Sequence, residues 1–239
     1  MKGNFSYKVL SQEVDFQKRQ TLAAFGTALL ESAARNADAN GFGLRLLQQN
    51  QTTWVLNKMV IDFSRILSDG QFYKVETWVG DVNRLATTRY FRVVDADERP
   101  VAEVYSNWVM LDMNTRRPVN LEEVKGLAQA VEQEKLMIDR PVRILSVDEP
   151  PVFLLQAKYS DIDINGHVNS MRYVQWMSDL FSRDFYECHS LKRFEINYAN
   201  EVKWGDDFAI CKVKVADNDF HIEIKSEDKS YCRARMLFD

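Results

Sequence analysis

The chain has 239 residues, 46% of them hydrophobic and 28% charged, which is enough to bury a sizeable core in one large or two small units. A net charge of −4 supplies no global pull on nucleic acid or anionic lipid, so neither is an expected partner. Three cysteines, Cys188, Cys211 and Cys232, show no CxxC spacing, which argues against a disulfide framework or a structural zinc and fits a reducing interior.

The amino end, "MKGNFSYKVLSQEVDF", has no apolar run of signal-peptide length, and no stretch approaches the roughly 18 apolar residues of a membrane span. A soluble cytoplasmic protein is the expectation. Leu22, Phe25, Leu29 and Ala33 then recur at helical spacing, and "DANGFG" reads as the stop. Four runs rich in Val, Ile, Thr and aromatics follow: "TWVLNKMVIDF", "FYKVETWVGDV", "ATTRYFRVVD" and "VAEVYSNWVMLD". Turn signals separate several of them, so they read as strands.

Residues 121–150 are charged, partly helical in pattern and closed by Pro150-Pro151, and read as a linker between units at 1–120 and 151–239. The second unit repeats the order of the first. A short strand "VFLLQAKY" leads to a helix from about Val168 to Tyr186, then to the strands "KRFEINYAN", "DFAICKVKVAD", "FHIEIKSED" and "YCRARMLFD". "VIDFSRILSDGQF" and "EINYANEVKWGDDF" look alike once one residue is inserted. The plan is α+β, a long helix and an antiparallel sheet occurring twice, each sheet wrapping its helix. Cys211 and Cys232 fall in the strand runs and read as small core residues.

"DIDINGHVNS" (161–170) crowds Asp163, Asn165 and His167 just before the second helix. One reading is structural: Asn165 caps the helix, an aspartate complements its dipole, and His167 sits in the first turn. The other is catalytic. Histidine is the side chain best suited to binding and proton roles, Gly166 permits close backbone approach, and helix-terminal N–H groups could stabilise an oxyanion. These are parts suited to acyl transfer or hydrolysis. No metal site is expected, because no cysteine or second histidine lies near Asp163 and His167. G-x-S-x-G and phosphate-binding glycine loops are absent, so neither a serine nucleophile nor a nucleotide cofactor is expected.

"DIDINGHVNSMRYVQW" resembles a stretch of the acyl-acyl carrier protein thioesterases of plants and bacteria, with Ser170 where an asparagine usually stands. "WVLNKMVIDFSRI", "VETWV" and "SNWVMLDMNTRRPVNL" resemble that family's first half. The resemblance implies tandem hot-dog domains, the first binding the acyl chain and the second catalytic. It implies catalytic roles for Asp163, Asn165, His167 and Glu201, the last within "YANEVKWGD". Val202 replaces the family's cysteine, so a covalent thiolate route is closed and water becomes the nucleophile, with Glu201 or Asp163 as base. The first half lacks an N-x-H, and "SRILSDG" stands where Glu201 would be.

Trp54, Met59, Trp78, Trp108 and Met110 are candidate tunnel-lining residues. The implied partner is acyl carrier protein, for which Arg116-Arg117, Lys192-Arg193 and Lys203 are candidate contacts. The implied activity is hydrolysis of fatty acyl-carrier-protein thioesters, which ends chain elongation in fatty acid biosynthesis. The alternatives are an acyl-CoA thioesterase, another hot-dog enzyme, or a non-catalytic acyl-binding module. Homodimer formation is left open.

Overall fold

In the computed structural model, which describes residues 1–239, the Thr21 hydroxyl accepts from the Ala24 N–H at 3.3 Å and starts α1 (Leu22–Ala39). Phe25, Leu29, Ala33 and Ala37 form its buried face, as their spacing requires. Gly41, at φ 83, ends the helix ahead of a short α2 (Leu44–Asn50). Strands β2 (Thr52–Phe63), β3 (Phe72–Val82), β4 (Thr87–Asp95) and β5 (Pro100–Asp112) follow where the β-rich runs place them. A strand not expected from sequence, β1 (Gly3–Lys8), pairs antiparallel with β3. Its exposed positions, Asn4, Ser6 and Lys8, are polar, but with Gly3 at one inward position only Phe5 and Tyr7 carry the apolar side of the alternation.

The second half contains β6 (Phe153–Gln156), α3 (Ser170–Ser178), α4 (Arg183–Cys188), β7 (Leu191–Tyr198), β8 (Asp207–Ala216), β9 (Asp219–Lys225) and β10 (Ser230–Phe238). The single helix expected from Val168 to Tyr186 is therefore two. Lys212 donates to the Leu180 carbonyl at 2.6 Å, and Ser182 caps a fresh start by accepting from Phe185 N at 3.2 Å. Asn165 does not cap α3, contrary to the structural reading of the polar cluster. The cap is Asn169, whose side chain accepts from Met171 N at 2.8 Å.

The two units share one ten-stranded sheet, in the order β1-β3-β4-β5-β2-β7-β10-β9-β8-β6. β2 and β7 pair antiparallel at its centre, with Met59 opposite Ile196 and Ile61 opposite Phe194. α1 and α3 lie together on one face, so a single apolar cluster spans both halves. Their approach is close at Gly26, where an added Cβ would stand 2.3 Å from Met171 Sδ.

The segment joining the halves is not helical beyond two 3-10 turns, at Leu121–Glu123 and Ala128–Ala130. Its backbone groups are claimed instead by the sheet's other face. Trp78 Nε1 donates to the Glu134 carbonyl at 2.8 Å, while Glu195 accepts from Val142 N at 2.8 Å and Glu223 from Val147 N at 2.9 Å. Leu136, Ile144 and Val147 of the segment are themselves buried. Glu195 is wholly buried but ion-paired with Arg193 and Arg235, which is how a carboxylate survives there. No helix of the protein is long and apolar enough to cross a membrane.

Candidate active site

Residues 159–169 form a tight structure before α3. Asp163 N donates to the His167 carbonyl at 2.8 Å, and Gly166 N to the Asp163 carbonyl at 3.0 Å. Gly166 takes φ 79, a conformation that favours glycine. One oxygen of the Asp163 carboxylate accepts from Asn165 N at 2.8 Å, so Asp163 shapes the loop that carries Asn165 and His167.

The chain returns beside this loop after β7. Val168 N donates to the Val202 carbonyl at 2.9 Å, and Val202 N donates to the Tyr173 hydroxyl at 3.0 Å. Burial pushes the Tyr173 phenol above its ordinary range, so it stays neutral. These bonds bring Glu201 to His167, with Nε2 to Oε2 at 3.1 Å. Arg116 Nη2, from the turn after β5, donates to the same oxygen. No protein group donates to the other oxygen, Oε1.

Asp163, Asn165, His167 and Glu201 all line one cleft of about 490 Å3. Its facing wall comes from the first unit, through Trp54, Val55, Leu56, Val109, Leu111 and Met113. Of the suggested lining residues only Trp54 reaches it. Met59, Trp78 and Met110 are fully buried in the core, and Trp108 packs against the core edge. Val202 is 0% exposed and part of the main core cluster, so the side chain at that position points away from the cleft. The suggested basic residues divide too. Arg116 is in the cleft and Lys203 is exposed beside His167, but Arg193 is bound to Asp62 and Glu195 on the far face of the sheet, and Lys192 pairs with Asp239.

The arrangement holds a carboxylate with one free oxygen, an imidazole and an unpartnered amide against an apolar wall. The family models for the acyl-ACP thioesterase N-terminal domain and C-terminal domain match residues 2–125 and 146–239. The chain belongs to the acyl-ACP thioesterase family. A crystal structure of an acyl-ACP thioesterase from Bacteroides thetaiotaomicron is 35% identical and superimposes with a TM-score of 0.93, covering 100% of this chain and 98% of that one. The 12:0-ACP thioesterase of Umbellularia californica shares the fold at 20% identity, with a TM-score of 0.88 and coverage of 100% and 97%. Oleoyl-acyl carrier protein thioesterase 2 of Arabidopsis thaliana is 24% identical over 234 residues, 86% of this chain. The chain spans 62% of the length of that curated relative. The α+β architecture is thus the tandem hot-dog arrangement of this acyl-ACP thioesterase family, here with the two sheets fused edge to edge.

Sequence reasoning missed a second copy of the loop. Asp15-Phe16-Gln17-Lys18-Arg19 folds as Asp163 to His167 does. Asp15 N donates to the Arg19 carbonyl at 2.8 Å, Gln17 N to Asp15 Oδ1 at 2.8 Å, and Lys18 takes φ 61 where Gly166 takes its positive φ. Gln20 N donates to the Leu67 carbonyl as Val168 N does to Val202. Ile66 therefore stands where Glu201 stands, and the segments "SRILSDG" and "ANEVKWG" correspond without an insertion. This copy borders a smaller cleft of about 220 Å3. Arg19 occupies the histidine position and is tied to Asp15 at 3.2 Å and to the Tyr186 carbonyl at 3.0 Å. The second cleft has no acid–imidazole pair. The signal available in sequence was the shared D-x-[NQ] spacing, hidden by the lysine and arginine.

Proposed function

We propose that this protein hydrolyses the thioester of fatty acyl-acyl carrier protein and releases free fatty acid, ending chain elongation in fatty acid biosynthesis in the cytoplasm. The observation that carries the reading is the His167–Glu201 pair, at 3.1 Å, set opposite an apolar wall in a chain of this family. In this reading the second unit is catalytic and the first supplies the acyl-binding wall, with residues 121–150 joining them.

Glu201 is the general base. Each of the two carboxylates keeps one oxygen without a protein donor, but Glu201 is the one paired with His167, whereas Asp163 shapes the loop through Asn165 N. The water oxygen attacks the thioester carbonyl carbon as its proton passes to Glu201. His167 and the Asn165 amide face the oxyanion of the tetrahedral intermediate. Collapse breaks the C–S bond, and the departing sulfur takes the proton back from Glu201. The acid, the carrier thiol and a regenerated carboxylate result.

The test follows thiol release from acyl-carrier-protein and acyl-CoA thioesters of several chain lengths. Wild-type protein is expected to turn over the carrier-protein substrates faster. Glu201→Gln should lower kcat by about 10²–10⁴-fold, the usual contribution of a positioned base. Full activity in Glu201→Gln, or no thiol release by the wild type, would overturn the reading.

A further inference from the structure

Arg116 lies on the first unit, yet its guanidinium meets the Glu201 carboxylate of the second. It reaches there from a turn built for the purpose. Asp112 Oδ1 accepts from Asn114 N at 3.1 Å, Thr115 N at 2.7 Å and the Thr115 hydroxyl at 2.9 Å, and these bonds hold its carboxyl below the usual range. Arg116 N donates back to the Asp112 carbonyl at 2.9 Å, and the Asp112 N–H closes the turn on the Arg117 carbonyl at 3.0 Å. Arg116 itself sits at φ 58, a left-handed conformation that a non-glycine residue keeps only where its surroundings enforce it.

We infer that Arg116 is a positioning residue for hydrolysis: with His167 it clamps Glu201 Oε2 and so turns Oε1 toward the substrate water. This rests on the thioesterase reading of the site. Two donors on one oxygen fix the carboxylate's rotation, which a single bond to His167 leaves free to swing. The first unit thereby completes the second unit's site. The competing role for a cationic residue at a cleft is steering of an acidic carrier protein, which raises the association rate without touching chemistry. The neighbouring Arg117 is exposed and outside the cleft, so it serves as the steering control.

The experiment compares Arg116→Ala, Arg116→Lys and Arg117→Ala on a carrier-protein thioester and on a short acyl-pantetheine thioester that needs no steering. Positioning predicts that Arg116→Ala lowers kcat about 10- to 100-fold on both substrates with KM little changed, because misplacing a reacting group slows the chemical step. Arg116→Lys should recover part of the loss, and Arg116→Ala should add little to Glu201→Gln, since both act through one carboxylate. A raised KM confined to the carrier-protein substrate, with kcat intact, overturns positioning in favour of steering. The His167 ring resonances, among only three histidines, give a readout independent of turnover. In Arg116→Ala they should move toward those of Glu201→Gln. Resonances that stay at their wild-type positions overturn the inference even if no thioester is cleaved, whereas inactivity of the wild type bears on the hydrolase reading alone.

Discussion

The two oxygens of Glu201 face different surroundings, one holding His167 and Arg116 and the other open to the cleft. Nothing in the sequence marks Arg116 as part of this group, because its contact crosses from one half of the chain to the other. Asp163, Asn165 and His167 were legible because they are near neighbours in one loop, and Glu201 through its resemblance to a longer pattern. The helix cap was assigned four residues early, since Asn165 and Asn169 have equal capping chemistry and only backbone geometry separates them. Cys211 and Cys232 were legible from strand alternation and are buried, while Cys188, at the end of α4, is exposed. Burial pushes the thiols of Cys211 and Cys232 up, so near pH 8 both remain protonated and unreactive. A disulfide reagent should therefore titrate one thiol per native chain and all three after denaturation. Rapid reaction of a second thiol in the folded protein would contradict this packing.

Among the elements, the contact between α1 and α3 depends on Gly26. A methyl group there would meet the Met171 sulfur at well under van der Waals distance. Gly26→Val should destabilise the protein by about 1–3 kcal/mol, and Met171→Ala in the same chain should restore part of the loss by making room. Urea denaturation of the two single variants and the double variant measures the coupling; strictly additive effects would show that the helices do not touch there. The strands of both halves were legible because alternation survives wherever one face meets the helices. β1 was not, since only two apolar residues, Phe5 and Tyr7, mark its inward face. Neither was the break between α3 and α4, because the Lys212 contact that draws off the Leu180 carbonyl comes from a distant strand.

For the molecule as a whole, the continuous sheet and shared core predict one cooperative unfolding transition. Tryptophan fluorescence and far-ultraviolet circular dichroism should give superimposable urea curves. The tryptophans lie in both halves, at positions 54, 78, 108, 176 and 204, so independent units would separate the curves. The repeat of helix and sheet was legible, but the fusion of the sheets was not. Pairing of β2 with β7 depends on which edges each unit leaves open, and sequence spacing does not state that. The partly helical pattern of the segment between the halves misled for a related reason. The segment read as a linker partly helical in pattern, whereas only two 3-10 turns form and the carboxylates that bind its backbone, Glu195 and Glu223, arrive from the second unit's strands.

Joining β2 to β7 also decides how the protein meets other copies of itself at high concentration. Two separate sheets would offer four edges on which a foreign strand could add, and the fused sheet offers two. Both are short, six residues in β1 and four in β6. The β6 edge is the less guarded, with Leu154 76% exposed and Phe153 37% exposed. The loss of two open edges is thus a by-product of the same central pairing that sets Arg116 against Glu201.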